Sequence, residues 1–451
     1  MMKDDNFLKE HNAKALWHPM GAPADSMAQP PKIITGAAGV SITDIDGHSA
    51  IDAVGGLWCV NLGYSNDVLK GAIADQLQSL PYYSAFAGTS NPAAIEASVA
   101  MQDMFAADGM ARVFFTSGGS DSVETCLRLA RQYHRLRGQP TRTKFLSLKK
   151  GYHGTHFGGA SVNGNARFRT AYEPLLPGCF HLPSPYTYRN PFHETDPAKL
   201  AQNIAAAMED EIAFQGADTI AAFIMEPIQG AGGVIVPHET FMPLMREICD
   251  RHGILMISDE VITGFGRTGH WSGARHWGVK PDMMSMAKGI TSGYFPVGAA
   301  MIGEKVAEVF ETADSAEAGI YHGYTYSAHP VGAAATVACL AETQRLQLDQ
   351  NAAARGAQLY AGLQGLAAKH DIIGDLRGGH GLMAGIEFVS NRDQKTPMDM
   401  ATMKRLHENI YQAGVMVRLV MHSVVMSPPL IITEAEVDKI INAIDAGIMA
   451  L

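Results

Sequence analysis

The stretch Ile254-Leu-Met-Ile-Ser-Asp-Glu-Val-Ile-Thr-Gly-Phe-Gly-Arg-Thr-Gly269, followed by Pro281-Asp-Met-Met-Ser-Met-Ala-Lys-Gly-Ile290, decides how the rest of the chain is read. Two apolar runs, Ile254 to Ile257 and Met283 to Met286, have the length of short buried strands. Soon after each comes one charged residue, Asp259 and Lys288. In an open α/β sheet the strand ends border the crevice where ligands bind. A lysine between an apolar run and Gly289 is partly desolvated, which lowers its pKa and suits it to Schiff-base chemistry. Pyridoxal phosphate is the electron-sink cofactor such a lysine serves, and its pyridine nitrogen needs an acidic partner such as Asp259. Taken singly, each residue reads as a solvated charge or a turn former. The pair gains weight from a phosphate loop upstream.

That loop is Arg112-Val-Phe-Phe-Thr-Ser-Gly-Gly-Ser-Asp-Ser-Val-Glu-Thr-Cys126, a strand, a glycine turn and a helix. Val123, Leu127, Ala130 and Tyr133 supply one apolar helix face. Asp121 and Glu124 fit a capping box, or Ser120 caps instead. Backbone N–H groups at Gly118, Gly119 and Ser120 would face whatever sits over the helix start, a geometry that binds phosphate. A lone Gly-Gly-Ser is a weak signal, neither a Walker loop nor a dinucleotide fingerprint. Farther on, the strand Lys144 to Leu148 leads to Tyr152 and His153, where a ring could stack on a flat cofactor. His153 and His156 lack a third metal ligand at suitable spacing, so no metal is expected.

Strands alternate with helices through the middle of the chain, which argues for a mostly parallel sheet. Helices are expected over 196–216, 240–252, 331–346, 349–370 and 398–413, and strands over 33–47, 219–225, 385–389 and 415–420. The expected fold class is α/β: a large domain over 61–330, and a smaller α/β domain built from 1–60 and 331–451. Residues 1 to about 30 read as an arm with a short helix near Asn6 to Leu16. Trp58, beside a glycine pair, and the aromatic loop Leu80 to Gly88 are weak pocket signals. Arg418 lies in the apolar run Gly414 to Met421, so it either reaches solvent or meets an anion. The sequence leaves these two about even.

The chain has 451 residues, 47% hydrophobic and 18% charged, ordinary for a globular protein with a large core. A net charge of −10 disfavours nucleic-acid binding. Five scattered cysteines, with no Cys-x-x-Cys pair, fit a reducing cytoplasm rather than a disulfide framework. The segment Met1 to Glu10 carries acids and lacks the apolar core of a secretory signal. No apolar run reaches membrane-spanning length.

Together these motifs resemble the class III aminotransferases, fold-type I pyridoxal-phosphate enzymes, and among them the omega-amine:pyruvate group. The resemblance covers nearly the whole chain. It rests on Asp259 to Gly269, lying 29 residues (288 − 259) before Lys288, and on Thr116 to Ser120, Gly151 to Gly154, Glu226 to Gly230 and Tyr324 to Pro330. It implies that Lys288 forms the Schiff base and Asp259 pairs with the ring nitrogen. Gly119 and Ser120 would hold the phosphate, with Thr325 from the other subunit of a homodimer; pairing of dimers into tetramers is left open. Tyr152 and Val261 would sandwich the ring, with Glu226 also at the cofactor. Trp58, Phe86, Tyr152 and Ala231 would line the substrate pocket, and Arg418 would meet the acceptor's carboxylate. The implied reaction is a ping-pong transfer from an amine donor to a keto acid, pyruvate above others. A related aminomutase or decarboxylase would use the same lysine and aspartate; a binding protein that kept only the fold is disfavoured by their presence.

There is one departure. Ornithine- and 4-aminobutyrate-type relatives carry a glutamate where this chain has Ala231, so those two substrates are disfavoured. The phosphate loop also reads Gly-Gly-Ser-Asp rather than Gly-Ser-Glu-Ala, which leaves the backbone donors in place.

Overall fold

The computed structural model describes residues 4–451; the first three residues of the N-terminal segment read above as lacking a signal lie outside it. The arm helix is Asp5–His11, shorter than expected, with Asp4 as its cap. The expected strand over 33–47 is a hairpin instead. Gly39, at φ 57°, lets the chain reverse, so that β1 (Ile34–Ala38) pairs antiparallel with β2 (Ser41–Asp44). β3 (Ser49–Asp52) then pairs with β2 across the Asp46-Gly47 turn.

The central sheet is built from β4 (Met110–Thr116), β5 (Lys144–Leu148), β6 (Cys179–Leu182), β7 (Ile220–Met225), β8 (Leu255–Asp259), β9 (Met283–Met286) and β10 (Gly298–Gly303), in the order β4-β10-β9-β8-β7-β5-β6. Neighbours are parallel except at β10, which runs antiparallel to both β4 and β9. Every residue of β7, β8, β9 and β10 is buried, which explains why they read as continuous apolar runs rather than alternating ones. The helices Gly119–Leu136, Pro197–Gln215 and Phe241–His252 connect them. The last stops at Gly253, whose left-handed backbone turns the chain straight into β8.

A second core gathers Val40, Ile51 and Leu62 with Ile386, Phe388, Ile440 and Ile444. Its strands are β11 (Ile373–Arg377), β12 (Ala384–Asn391), β13 (Thr396–Pro397), β14 (Val415–Met416), β15 (Arg418–Val420) and β16 (Ser423–Met426). The strand expected over 415–420 is divided at Val417. β14 joins the N-terminal sheet, parallel to β3, while β15 pairs antiparallel with β16 in another sheet. An apolar run shows that a strand is buried, not which sheet it joins. The switch places Arg418 at the start of a new strand. The closing helix, Glu434–Met449, went unread although Thr433 and Glu436 form a capping box visible in the sequence.

Candidate active site

β8 and β9 are parallel neighbours with Asp259 opposite Ser285, so Asp259 and Lys288 emerge at the same edge of the sheet. Lys288 opens a short 3-10 turn at φ 50°, a left-handed conformation costly for a residue with a side chain. Such strain persists where the surroundings dictate it, often at functional sites. No hydrogen bond reaches its amine among the described residues. Burial lowers its pKa, against the opposing pull of Asp259, Glu226 and Cys59; Arg418 adds to the lowering.

Asp259 is 3% exposed. Its Oδ2 lies 2.7 Å from Nδ1 of His153, and its Oδ1 accepts the Val261 N–H at 3.2 Å. Facing a carboxylate, Nδ1 is the donor. His153 Nε2 is buried and without a partner among the described residues. The role of His153 was missed in the sequence; its place directly after Tyr152 at a strand end was the available signal. His156 points elsewhere, with Nε2 on Asp121 at 2.5 Å.

Glu226 follows β7 and is also buried. One oxygen accepts the Tyr152 N–H and the other the Gly230 N–H, each at 2.9 Å, so the carboxyl ties two loops of the site together. Burial pushes its pKa up to about 7; Asp259 adds to the rise, and His153 and the two N–H groups oppose it.

The helix Gly119–Leu136 begins after Gly118 with no side-chain cap. Asp121 instead reaches back to the Ser117 N–H at 3.0 Å; the expected box of Asp121 with Glu124 does not form, and Ser120 does not cap, because the helix already starts at Gly119. The first N–H groups of such a helix have no partner inside it and are available to an anion. Space above Gly118 is open. A Cβ on Gly119 would lie 3.0 Å from Val261 Cγ1, so glycine is what lets Val261 approach the helix start. Ser120 Oγ accepts the Thr155 N–H at 3.1 Å. A free buried amine, an oriented acid, a bare helix start and Val261 beside it fit pyridoxal phosphate.

Tyr152 is half-buried, its ring edge-on to Phe168 at 4.9 Å. Arg418 is half-buried. Its charge acts on Lys288 and Tyr152, and its own pKa is lowered by burial and by nearby Arg167. Among the described residues it has no ion pair. Trp58 is buried, at φ 64° after Gly55 and Gly56, and Ala231 sits half-buried after Gly230. Phe86 and Thr325 stand apart. Phe86 is 52% exposed and lies against Gly323, and Thr325 is exposed with its carbonyl taking the Tyr82 hydroxyl at 2.7 Å. Among the described residues no contact brings either side chain to Lys288.

The profile of the family Aminotransferase class-III matches residues 23–448. The chain belongs to the class III aminotransferases. It is 37% identical over 412 residues to the putrescine–pyruvate aminotransferase of Pseudomonas aeruginosa, covering 91% of this chain and 89% of that one. It is 36% identical to the taurine–pyruvate aminotransferase of Bilophila wadsworthia, covering 92% and 91%. An amine transaminase from an uncultivated Pseudomonas species, solved in its PLP-bound (internal aldimine) form, superposes with a TM-score of 0.95 at 45% identity, covering 97% of this chain and 98% of that one. As a class III aminotransferase, the protein is a fold-type I enzyme dependent on pyridoxal phosphate. No helix among the described residues is long and apolar enough to cross a membrane.

Proposed function

We propose that this aminotransferase moves the amino group of a primary amine or omega-amino acid to pyruvate. The observation that carries the reading is that Asp259 and Lys288 emerge at the same edge of the sheet, with no hydrogen bond to the Lys288 amine among the described residues and the Arg418 charge acting on it. Pyridoxal phosphate, when bound, supplies the carbonyl that accepts the amino group and the ring that draws electrons from it. Gly119 and Ser120 would hold its phosphate through backbone N–H groups, Asp259, aligned by His153, would pair with its ring nitrogen, and Val261 and Tyr152 would flank it. Lys288 Nζ, its pKa depressed by burial, would be the base that moves the substrate's proton. Arg418 receives the keto acid's carboxylate, and Trp58 and Ala231 limit the size of the amine. Glu226 steadies the Tyr152 and Gly230 loops around the cofactor.

We also propose a homodimer in which the partner's copy of the Phe86–Thr325 surface completes the site. Tyr82, Tyr83, Phe86, Ile320, Tyr321 and Tyr326 are all exposed large hydrophobics. Tyr82 meets Tyr326 edge-on and Phe86 lies against Gly323, and a cluster of exposed apolar side chains of this kind marks an interaction surface. The division into 61–330 and a smaller unit from both chain ends belongs to the same reading, supported by the separate second core. A cytosolic location is supported by five free cysteines.

Mixing the protein, pyridoxal phosphate, pyruvate and a panel of amines should yield alanine. Alanine from none of them would end the amine:pyruvate assignment and leave the aminomutase or decarboxylase reading. Sedimentation giving a monomer would end the shared-site assignment.

A further inference from the structure

We propose that Arg167 is a second anion-binding residue of the substrate site, and that the preferred amine donor carries a carboxylate or sulfonate at the end away from its amine. This rests on the aminotransferase reading above. The position follows from the wall of the crevice. Phe168 meets the Tyr152 ring, and with Arg167, Thr155, Phe157, Met20 and Ala22 it lines a cavity of about 510 Å³. The Thr155 N–H donates to Ser120 Oγ, so one wall of the cavity is tied to the phosphate loop.

Arg167 is the one charged side chain among the residues lining that cavity, whose walls are otherwise mostly apolar. Among the described residues its guanidinium makes a single hydrogen bond, from Nη2 to the Met20 carbonyl at 2.9 Å. Among the described residues no carboxylate pairs with it. Arg169, two residues on, is by contrast satisfied by the Ser161 and Asn163 carbonyls, His181 and Glu173. Arg418 is equally unpaired and within electrostatic reach of Arg167.

Two guanidiniums near one another, neither in an ion pair among the described residues, make a locally cationic spot on a chain whose net charge is −10. A cleft of one sign with low-dielectric walls concentrates the opposite charge. The planar guanidinium fork fits a carboxylate or sulfonate in two-point contact. A diamine would instead place its far ammonium against two cations, a built-in selection against it. The Met20 contact makes the N-terminal arm the other wall of the subsite.

The test uses the holoenzyme with pyruvate and donors of matched length: β-alanine, taurine, n-propylamine and 1,3-diaminopropane. The parent enzyme should show its highest kcat/KM with β-alanine or taurine and its lowest with the diamine. Arg167→Gln should lower the β-alanine-to-propylamine ratio of kcat/KM about tenfold, through KM, as expected for loss of a charge-assisted contact. It should also raise the diamine relative to propylamine. Arg167→Lys should restore part of the ratio. The cofactor absorbance band reports that each variant is folded and loaded. A parent that prefers the diamine, or an Arg167→Gln variant whose ratios stay at parental values, overturns the proposal while the aminotransferase reading stands. Alanine from none of the four takes both down.

Discussion

On the cofactor side of the crevice, Asp259, His153 and Glu226 are buried and hold one another or backbone N–H groups at 2.7–3.2 Å. On the proposed substrate side, Arg418 and Arg167 have no carboxylate partner among the described residues, and Phe86 and Thr325 are exposed. The first set sits at the ends of central strands buried on both faces. The second sits on an edge-sheet strand, an irregular segment and loops. In the proposed function, chemistry common to every substrate falls to the buried, hydrogen-bonded set, and recognition to donors whose partners arrive from outside the chain.

The strongest test of that division is Lys288→Ala. Turnover should fall about 10⁴-fold, the upper range for a group that moves the proton itself. Stability should hold or rise, because the variant removes an amine whose charge burial disfavours. Alanine production and the urea midpoint of the cofactor-free protein measure the two. A variant that unfolds would show that the lysine also supports the sheet edge, which blurs the contrast. Next in size, Arg418→Ala should raise KM for pyruvate about tenfold to a hundredfold, the loss of a charge-assisted pair. The half-reaction with n-propylamine should change much less. Equal losses in both would mean that Arg418 supports the cofactor side instead.

His153→Leu probes the cofactor side from behind. Asp259 would keep only the Val261 N–H, so the acid would lose alignment. Cofactor affinity and kcat should each drop about tenfold, the usual cost of removing a partner that orients a ligand-holding group. Titration of the apoenzyme with pyridoxal phosphate checks this. An unchanged affinity would mean that the backbone alone orients Asp259.

The difference between the two sides also governs what the sequence disclosed. Lys288, Asp259 and the Gly118 to Ser120 turn were legible as candidates because each follows an apolar run that reads as a strand. The His153–Asp259 contact joins β5's exit to β8's end, and no local pattern encodes which strand ends become neighbours. Arg418 was undecidable because the sheet switch at Val417 depends on pairing with β3 on one side and β16 on the other. Arg167 carried no signal: it lies in an irregular, aromatic-rich stretch, and its meaning comes from the absence of a carboxylate in space. The hairpin at Gly39 was overlooked because alternation continues through the reversal.

The smallest effect on activity is expected from Glu226→Gln, and it bears on how the cofactor side stays neutral enough to be buried. Folded, Glu226 takes its proton at about 7; unfolded, near 4.5. Between those values the folded chain binds more protons than the unfolded one. The group's contribution is therefore full below 4.5 and is lost as pH rises through 7. A gap of this size corresponds to about 3 kcal/mol as a ceiling. Urea midpoints of the cofactor-free protein at pH 5 and pH 8 should differ more in the parent than in the glutamine variant, which cannot ionise. If the two proteins show the same difference, Glu226 is already ionised at pH 5. Buried beside Asp259, it would then depend on the two N–H groups it accepts from Tyr152 and Gly230, and those would be what makes the cofactor side tolerate two acids.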